Sequence, residues 1–160
     1  MDIREALPGD AEQARAIAER AGLTLRAVYR PTPALVRSSE ARAAQRRQLV
    51  AAHNGQIVGT ISYETHGDRL HLQSLAVDPV WQRRGVGRAL VAHCVKLARS
   101  FGASRLSLYT VVETGNVRIF ESLGFHVVST EPGRSLEAVG AASVTEAYME
   151  MSMEGDPRSR

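Results

Sequence analysis

Gln82 to Arg88 reads Gln-Arg-Arg-Gly-Val-Gly-Arg, three cations and two glycines in one short stretch. Before it, Leu70 to Val77 is rich in Leu and Val and free of Gly and Pro, and Asp78-Pro79 stops that strand. After it, Val86, Leu90, Cys94, Leu97 and Ala98 recur at helical spacing. A basic loop between a strand and a helix suits an anion. N–H groups in a first helical turn lack intrahelical partners, and the helix dipole adds partial positive charge there. Glycine at 85 and 87 leaves room for close approach, and Arg83, Arg84 and Arg88 add full charges. This is the chemistry of a phosphate or pyrophosphate cradle. The plainer alternative is a tight strand-to-helix turn with no ligand.

Spacing separates the known cradles. A P-loop needs Gly-x-x-x-x-Gly-Lys followed by Ser or Thr, and no such run is present. A dinucleotide fingerprint needs a third Gly where Leu90 stands. What remains is Gln/Arg-x-x-Gly-x-Gly/Ala, preceded by Leu-Ala-Val-Asp-Pro. This composite resembles the pyrophosphate-binding motif of the GNAT superfamily of N-acetyltransferases. Phe120 to Phe125, Phe-Glu-Ser-Leu-Gly-Phe, is similar to that family's Tyr-Glu-x-Leu-Gly-Phe segment. The resemblance implies a mixed α/β fold: a mostly antiparallel sheet of about seven strands, flanked by helices and splayed at the acyl-CoA site. It implies acetyl-CoA as cosubstrate and no metal. Carried over by position, Leu75, Ala76 and Val77 would hold the pantetheine arm through main-chain groups. Gln82, Arg83, Arg84, Gly85, Val86, Gly87 and Arg88 would hold the pyrophosphate.

The implied reaction is direct acetyl transfer from the thioester to a primary amine. An ammonium must lose a proton before it attacks, and the leaving thiolate can take one. His71, on the central strand, is the leading candidate for the base, since a neutral imidazole accepts a proton near neutral pH. Alternation puts it on the face of Gln73 and Leu75. Glu113 and Glu64 are weaker candidates; Tyr63, Tyr109 and Tyr148 lie on strands that could reach the site. The family's usual acid is a Tyr where this chain has Phe120, whose ring can only pack beside the pantetheine. The usual Asn is replaced by Glu113, and Asn116 either caps the short helix or touches the cofactor. These departures raise a second reading, a noncatalytic acyl-CoA-binding or regulatory module.

The elements that must position these groups follow from local signals. Asp2 to Leu7 reads as a strand, and Pro8-Gly9-Asp10 leads into a helix stopped by Gly22. Leu23 to Arg47 is irregular, with a short helix near Ser39 to Arg46. Its arginines, Arg26, Arg30, Arg37, Arg42, Arg46 and Arg47, either solvate a surface or line a lid over the substrate. Gln48 to His53 and Gln56 to Glu64 form a hairpin around Asn54-Gly55, a dipeptide suited to two positive φ angles. Ser104 to Val111 is a strand, Thr114 to Leu123 a short helix and Phe125 to Ser129 a strand. A loop over Glu131 to Thr145 precedes a last strand from Glu146 to Met153. One domain over 1–153 with a frayed tail at 154–160 is the expected organisation.

Composition bounds the rest. The chain has 160 residues, 44% apolar and 23% charged, which are globular values. No apolar run nears the roughly 20 residues that span a bilayer, and Met-Asp-Ile-Arg-Glu lacks a signal-peptide pattern. A single cysteine permits no internal disulfide, so the cytoplasm is the expected compartment. The net charge of +3 is modest and shows no basic patch interleaved with aromatics, so neither nucleic acid nor membrane is the expected partner. The expected partner is a small-molecule or peptide amine acceptor, with the protein a monomer or homodimer.

Overall fold

The structure, a computed structural model, describes residues 1–153; the expected tail at 154–160 lies outside them. In chain order the elements are β1 (Asp2–Glu5), α1 (Ala11–Arg26), β2 (Tyr29–Pro31), α2 (Pro33–Ala41), β3 (Arg47–His53), β4 (Gln56–His66) and β5 (Arg69–Val77). Then come α3 (Val86–Ser100), β6 (Arg105–Val111), α4 (Asn116–Ser122), β7 (His126–Pro132), β8 (Leu136–Ala138) and β9 (Thr145–Ser152). Seven strands form one sheet in the order β1-β3-β4-β5-β6-β9-β7, antiparallel except for β5 against β6. The β3–β4 hairpin turns where expected, with φ of 50° at Asn54 and 78° at Gly55. Such a turn follows the strand twist and needs no helper.

The sheet is apolar on both faces, and each face has its own helix. On one side α3 lays Val86, Leu90, Val91, Cys94 and Ala98 over Val58, Ile61, Leu70, Leu72 and Leu106. The 3.6-residue spacing of those apolar positions makes α3 a helix with one buried stripe. On the other side Ile17 of α1 packs among Val50, Ala52, Ile57 and Ala76. Each fully buried Leu, Ile or Val contributes about 1.5–3 kcal/mol, so these two clusters hold the central strands in place. Cys94 is part of the α3 stripe, and burial pushes its thiol up to about 12. It is a packing residue.

Several boundaries differ from the sequence expectation, for local reasons. Gly22 does not stop α1, which runs on to Arg26. A Cβ at that position would meet open space, so the glycine is merely a mild helix weakness. The short helix starts earlier than expected, at Pro33. Thr32 caps it by accepting the Leu35 N–H at 3.2 Å, and proline suits the first helical position. β2 and β8 pair with each other as a two-stranded ribbon in segments read as irregular. Three-residue strands are too short to show a period. With α2, this ribbon lies over the cleft described next.

Candidate functional site

The loop from Asp78 to Arg88 is fastened at its start. Asp78 is buried, accepts the Val80 N–H at 3.1 Å and pairs with Arg20 of α1 at 2.8 Å. The Gln82 amide donates to the Val77 carbonyl at 3.3 Å. Arg83 and Gly85 both take left-handed backbone conformations, φ 63° and 83°, which coil the loop tightly before α3. The first α3 hydrogen bond runs from Ala89 N–H to the Gly85 carbonyl at 3.0 Å. The N–H groups ahead of it have no helical partner, and Gly85 has no side chain to cap them.

Side chains in the loop divide by role. Val86 is 2% exposed and belongs to the core, so only its backbone can serve the loop. Arg83, Arg84 and Arg88 are exposed, and the Arg84 guanidinium lies 5.2 Å over the Trp81 ring. A Cβ on Gly87 would meet Val77 and Leu75 only at 3.8–3.9 Å, and one on Gly85 would meet nothing. Internal packing therefore does not require these bare positions. Their openness fits an anion held against the backbone.

The sheet forks beside this loop. β5 and β6 pair over Arg69–Arg105, Leu70–Leu106 and His71–Ser107, and then separate. β5 continues to Val77 and β6 to Val111 without pairing, which leaves main-chain groups in the gap free for another molecule. A cavity of about 310 Å³ occupies the fork, lined by Leu72 to Leu75, Leu108 to Val111, Asn116 and Phe120. A second of about 640 Å³ opens beneath α2, with Arg42, His66, Arg69 and His71 in its wall. Of the arginines ahead of β3, Arg26 lines the first cavity, Arg42 the second, and Arg46 pairs with the buried Glu64 at 3.3 Å.

A bulge in β5 corrects one expectation about these residues. Gln73 pairs with Ser62 and Ala76 with Thr60, so Ser74 and Leu75 together oppose Ile61. Ser74 carries the kink, with φ 54°. The extra residue inverts the alternation beyond it. Leu75 and Val77 consequently pack toward the α3 side and Ala76 toward α1, while His71 faces the second cavity. His71 and Leu75 do not share a face.

His71 sits at the apex of the fork, 8% exposed, with Nδ1 at 2.8 Å from the Ser107 hydroxyl. Its ring meets those of Tyr109 at 5.5 Å and His66 at 5.9 Å. Burial, assisted by Arg69 and His66 and opposed by Glu64, pushes the imidazole down to about 4. It is neutral at pH 7, yet a weak acceptor for an ammonium proton. This has a measurable consequence. The unfolded chain takes up the proton near 6.5 and the folded chain only near 4, so stability must rise with pH across that window and fall as pH drops through it. In thermal melts, His71→Asn should lose less Tm than wild type between pH 6.5 and 4. Parallel slopes would show that another group dominates the acid limb.

The other candidates are scattered. Glu113 is exposed and accepts the Thr145 N–H at 2.8 and 2.9 Å; against the opposing pull of burial, that bond holds its carboxyl below the usual range. It fastens the segment after β6 to the start of β9 and lines neither cavity. Asn116 does not cap α4. It is the first helical residue, Gly115 precedes it with φ 81°, and its N–H donates to the Thr114 hydroxyl at 3.3 Å. Asn116 lines the first cavity. Phe120 lines the same cavity and meets Phe125 edge-on at 6.1 Å. Tyr63 is buried on the α3 side and donates to Glu5, away from the fork. The Tyr109 and Tyr148 rings meet at 5.1 Å, tilted by 46°, and Arg69 donates to the Tyr148 hydroxyl at 2.7 Å. Glu146, which borders both cavities, escaped the sequence reading. Alternation in the last strand would have grouped it with Tyr148, but only the pairing of β9 with β6 brings that face to the fork.

Known proteins resemble this chain in sequence and in fold. The sequence model described as the acetyltransferase (GNAT) family matches residues 14–125. A ribosomal protein bS18-alanine N-acetyltransferase of Escherichia coli K12 is 33% identical over 76 residues, 46% of this chain and 50% of that protein. A streptothricin acetyltransferase of Streptomyces lavendulae is 30% identical over 119 residues, 72% of this chain and 61% of that one. The chain thus spans between half and two thirds of the length of these relatives. Among solved structures, the ribosomal-protein-S18-alanine N-acetyltransferase of Escherichia coli superposes with a TM-score of 0.77 at 20% identity, covering 99% of this chain and 97% of that one. An aminoglycoside 6′-N-acetyltransferase complexed with coenzyme A gives 0.70 at 17% identity, covering 98% and 99%. At those identities the two structures establish the fold.

Proposed function

The chain belongs to the GNAT acetyltransferase family, and we propose that it transfers an acetyl group from acetyl-CoA to a primary amine. The observation that carries the reading is the juxtaposition of the uncapped α3 start with the β5–β6 fork. The N–H groups of Gly85 to Arg88, with Arg83, Arg84 and Arg88 around them, would hold the pyrophosphate. Main-chain groups of Leu75 to Val77 would pair with the pantetheine arm, and Asn116 and Phe120 would border its end. The amine would enter beneath α2 and the β2–β8 ribbon, from the second cavity. No helix among the described residues is long and apolar enough to cross a membrane, and a cytoplasmic enzyme is the reading we adopt.

Direct transfer needs the thioester carbonyl and the amine nitrogen aligned in a site that excludes water, and positioning supplies much of the rate. Phe120 has no proton to give the thiolate. A thiol with a reference pKa near 8.5 is a tolerable leaving group without that help, whereas a lysine-like ammonium near 10.4 cannot attack until deprotonated.

The test is thiol release from acetyl-CoA, followed with DTNB, over a panel holding an alanine-starting peptide, streptothricin, an aminoglycoside and a polyamine, with mass analysis of products. At least one should be acetylated. Phe120→Tyr should gain no more than roughly 10-fold in turnover, below the full range for an added acid. A silent wild type revived strongly by Phe120→Tyr would support the noncatalytic coenzyme A-binding reading instead.

A further inference from the structure

Two cavities meet at the fork, and among the described residues only two ionisable side chains, Tyr109 and Glu146, border both. Glu146 is the second residue of β9, opposite Val111 of β6 and Glu131 of β7. It shares a strand face with Tyr148, the face opposite buried Ala147 and Met149. Its carboxylate is half-buried and makes no hydrogen bond or ion pair among the described residues. A carboxylate that has lost part of its hydration, with no partner for its charge in the fold, is a ready site for a cation. An ammonium arriving between the cavities would satisfy this one.

We propose that Glu146 binds the acceptor ammonium at the junction of the two cavities and takes its proton. The assignment rests on the acetyl-transfer reading above. In the balanced step, one N–H bond of the ammonium breaks and its proton passes to the Glu146 carboxylate, then to solvent. The freed lone pair forms the C–N bond at the thioester carbonyl. The C–S bond breaks, the thiolate leaves with the electron pair, and it takes up the second proton shed by nitrogen as the amide forms. No oxidant or other co-reactant is needed.

Glu146 suits the task better than His71. His71 borders only the second cavity, and its Nδ1 is already engaged with Ser107. Burial, and then the like charge of Glu131, raise the Glu146 carboxyl above the ordinary range, while His71 lies near 4. Tyr109 is 56% exposed, and a phenol hydroxyl holds an ammonium less strongly than a carboxylate does.

The experiment compares wild type, Glu146→Gln, Glu146→Asp and Glu146→Ala with acetyl-CoA and the best acceptor of the panel above. Glu146→Gln keeps the shape, relieves repulsion from Glu131, and should melt no lower than wild type. Its kcat should fall roughly 100-fold, the low end for loss of a general base, with coenzyme A affinity by calorimetry unchanged. Glu146→Asp should retain more activity than Glu146→Gln. Added formate, a small carboxylate, should restore part of the Glu146→Ala rate, which a purely structural role would not allow. Turnover of folded Glu146→Gln within threefold of wild type would overturn the assignment and leave the acetyl-transfer reading standing. A large loss that neither aspartate nor formate restores would overturn it as well. Wild type silent on the whole panel would fell the acetyl-transfer reading first, and this assignment with it.

Discussion

Gly59→Val should lower the melting temperature by several degrees and weaken coenzyme A binding, although valine favours strands. Gly59 lies in β4, opposite Val77 of β5. A Cβ there would stand 2.7 Å from a Val86 methyl, 3.2 Å from a Leu90 methyl and 3.3 Å from the Ala76 carbonyl oxygen. Real Cβ atoms do not come that close. Val86 is short and β-branched, and it opens α3, so it cannot swing aside without moving the helix start. Replacing a strand glycine ordinarily gains about 0.5–1 kcal/mol. Overpacking costs about 1–3 kcal/mol, and valine adds two further methyls to the collision, so the clash wins. A net loss of about 1–2 kcal/mol in a domain of this size is roughly 2–8 °C in Tm. Gly9→Ala, where a Cβ meets nothing, is the control and should be close to neutral. Calorimetric melts and coenzyme A titrations check both halves. An unchanged Tm in Gly59→Val would mean that α3 sits more loosely on β4 than this packing requires.

The contact between Gly59 and Val86 also marks where the sequence stops being legible. The strand, basic loop and helix around Gln82 to Arg88 were readable because each is a local pattern: a β-rich run, a turn dipeptide, a helical stripe. So was the Asn54-Gly55 hairpin, which the dipeptide chemistry dictates. The bulge at Ser74 was not, since serine announces no positive φ, and one inserted residue was enough to part His71 from Leu75. The β2–β8 ribbon joins Tyr29–Pro31 to Leu136–Ala138, far apart in the chain, and is too short for any periodicity. Glu146 escaped for the same reason. Its relation to the fork is made by β9 inserting between β6 and β7, a nonlocal pairing. Local signals thus reach the Gly85 loop and the first cavity's strand β5, while the wall of the second cavity is assembled from distant pieces.

Gly87→Glu should move stability and binding in opposite directions. Nothing in the fold resists the side chain: its Cβ would make ordinary contacts at 3.8 and 3.9 Å, and the φ there is not in the left-handed region. Glutamate is the better helix former by about 0.5 kcal/mol, and an acidic side chain in a first turn gains about 0.3–1 kcal/mol from the dipole. The variant should therefore melt at or slightly above the wild-type temperature. The same charge would occupy the cradle. It would set a carboxylate among the N–H groups and beside the position of a pyrophosphate, adding bulk and repulsion together. Coenzyme A affinity should fall at least ~10-fold, a loss of about 1.4 kcal/mol. The repulsive part is screened by salt, so the ratio of wild-type to variant affinity should shrink as ionic strength rises from 0.01 to 0.15 M, where the Debye length drops from about 30 to about 8 Å. The steric part should not shrink, and a residual defect at high salt measures it. If a stable Gly87→Glu protein bound coenzyme A as wild type does, the loop would be only a tight turn between β5 and α3, and the pyrophosphate would have to be held elsewhere.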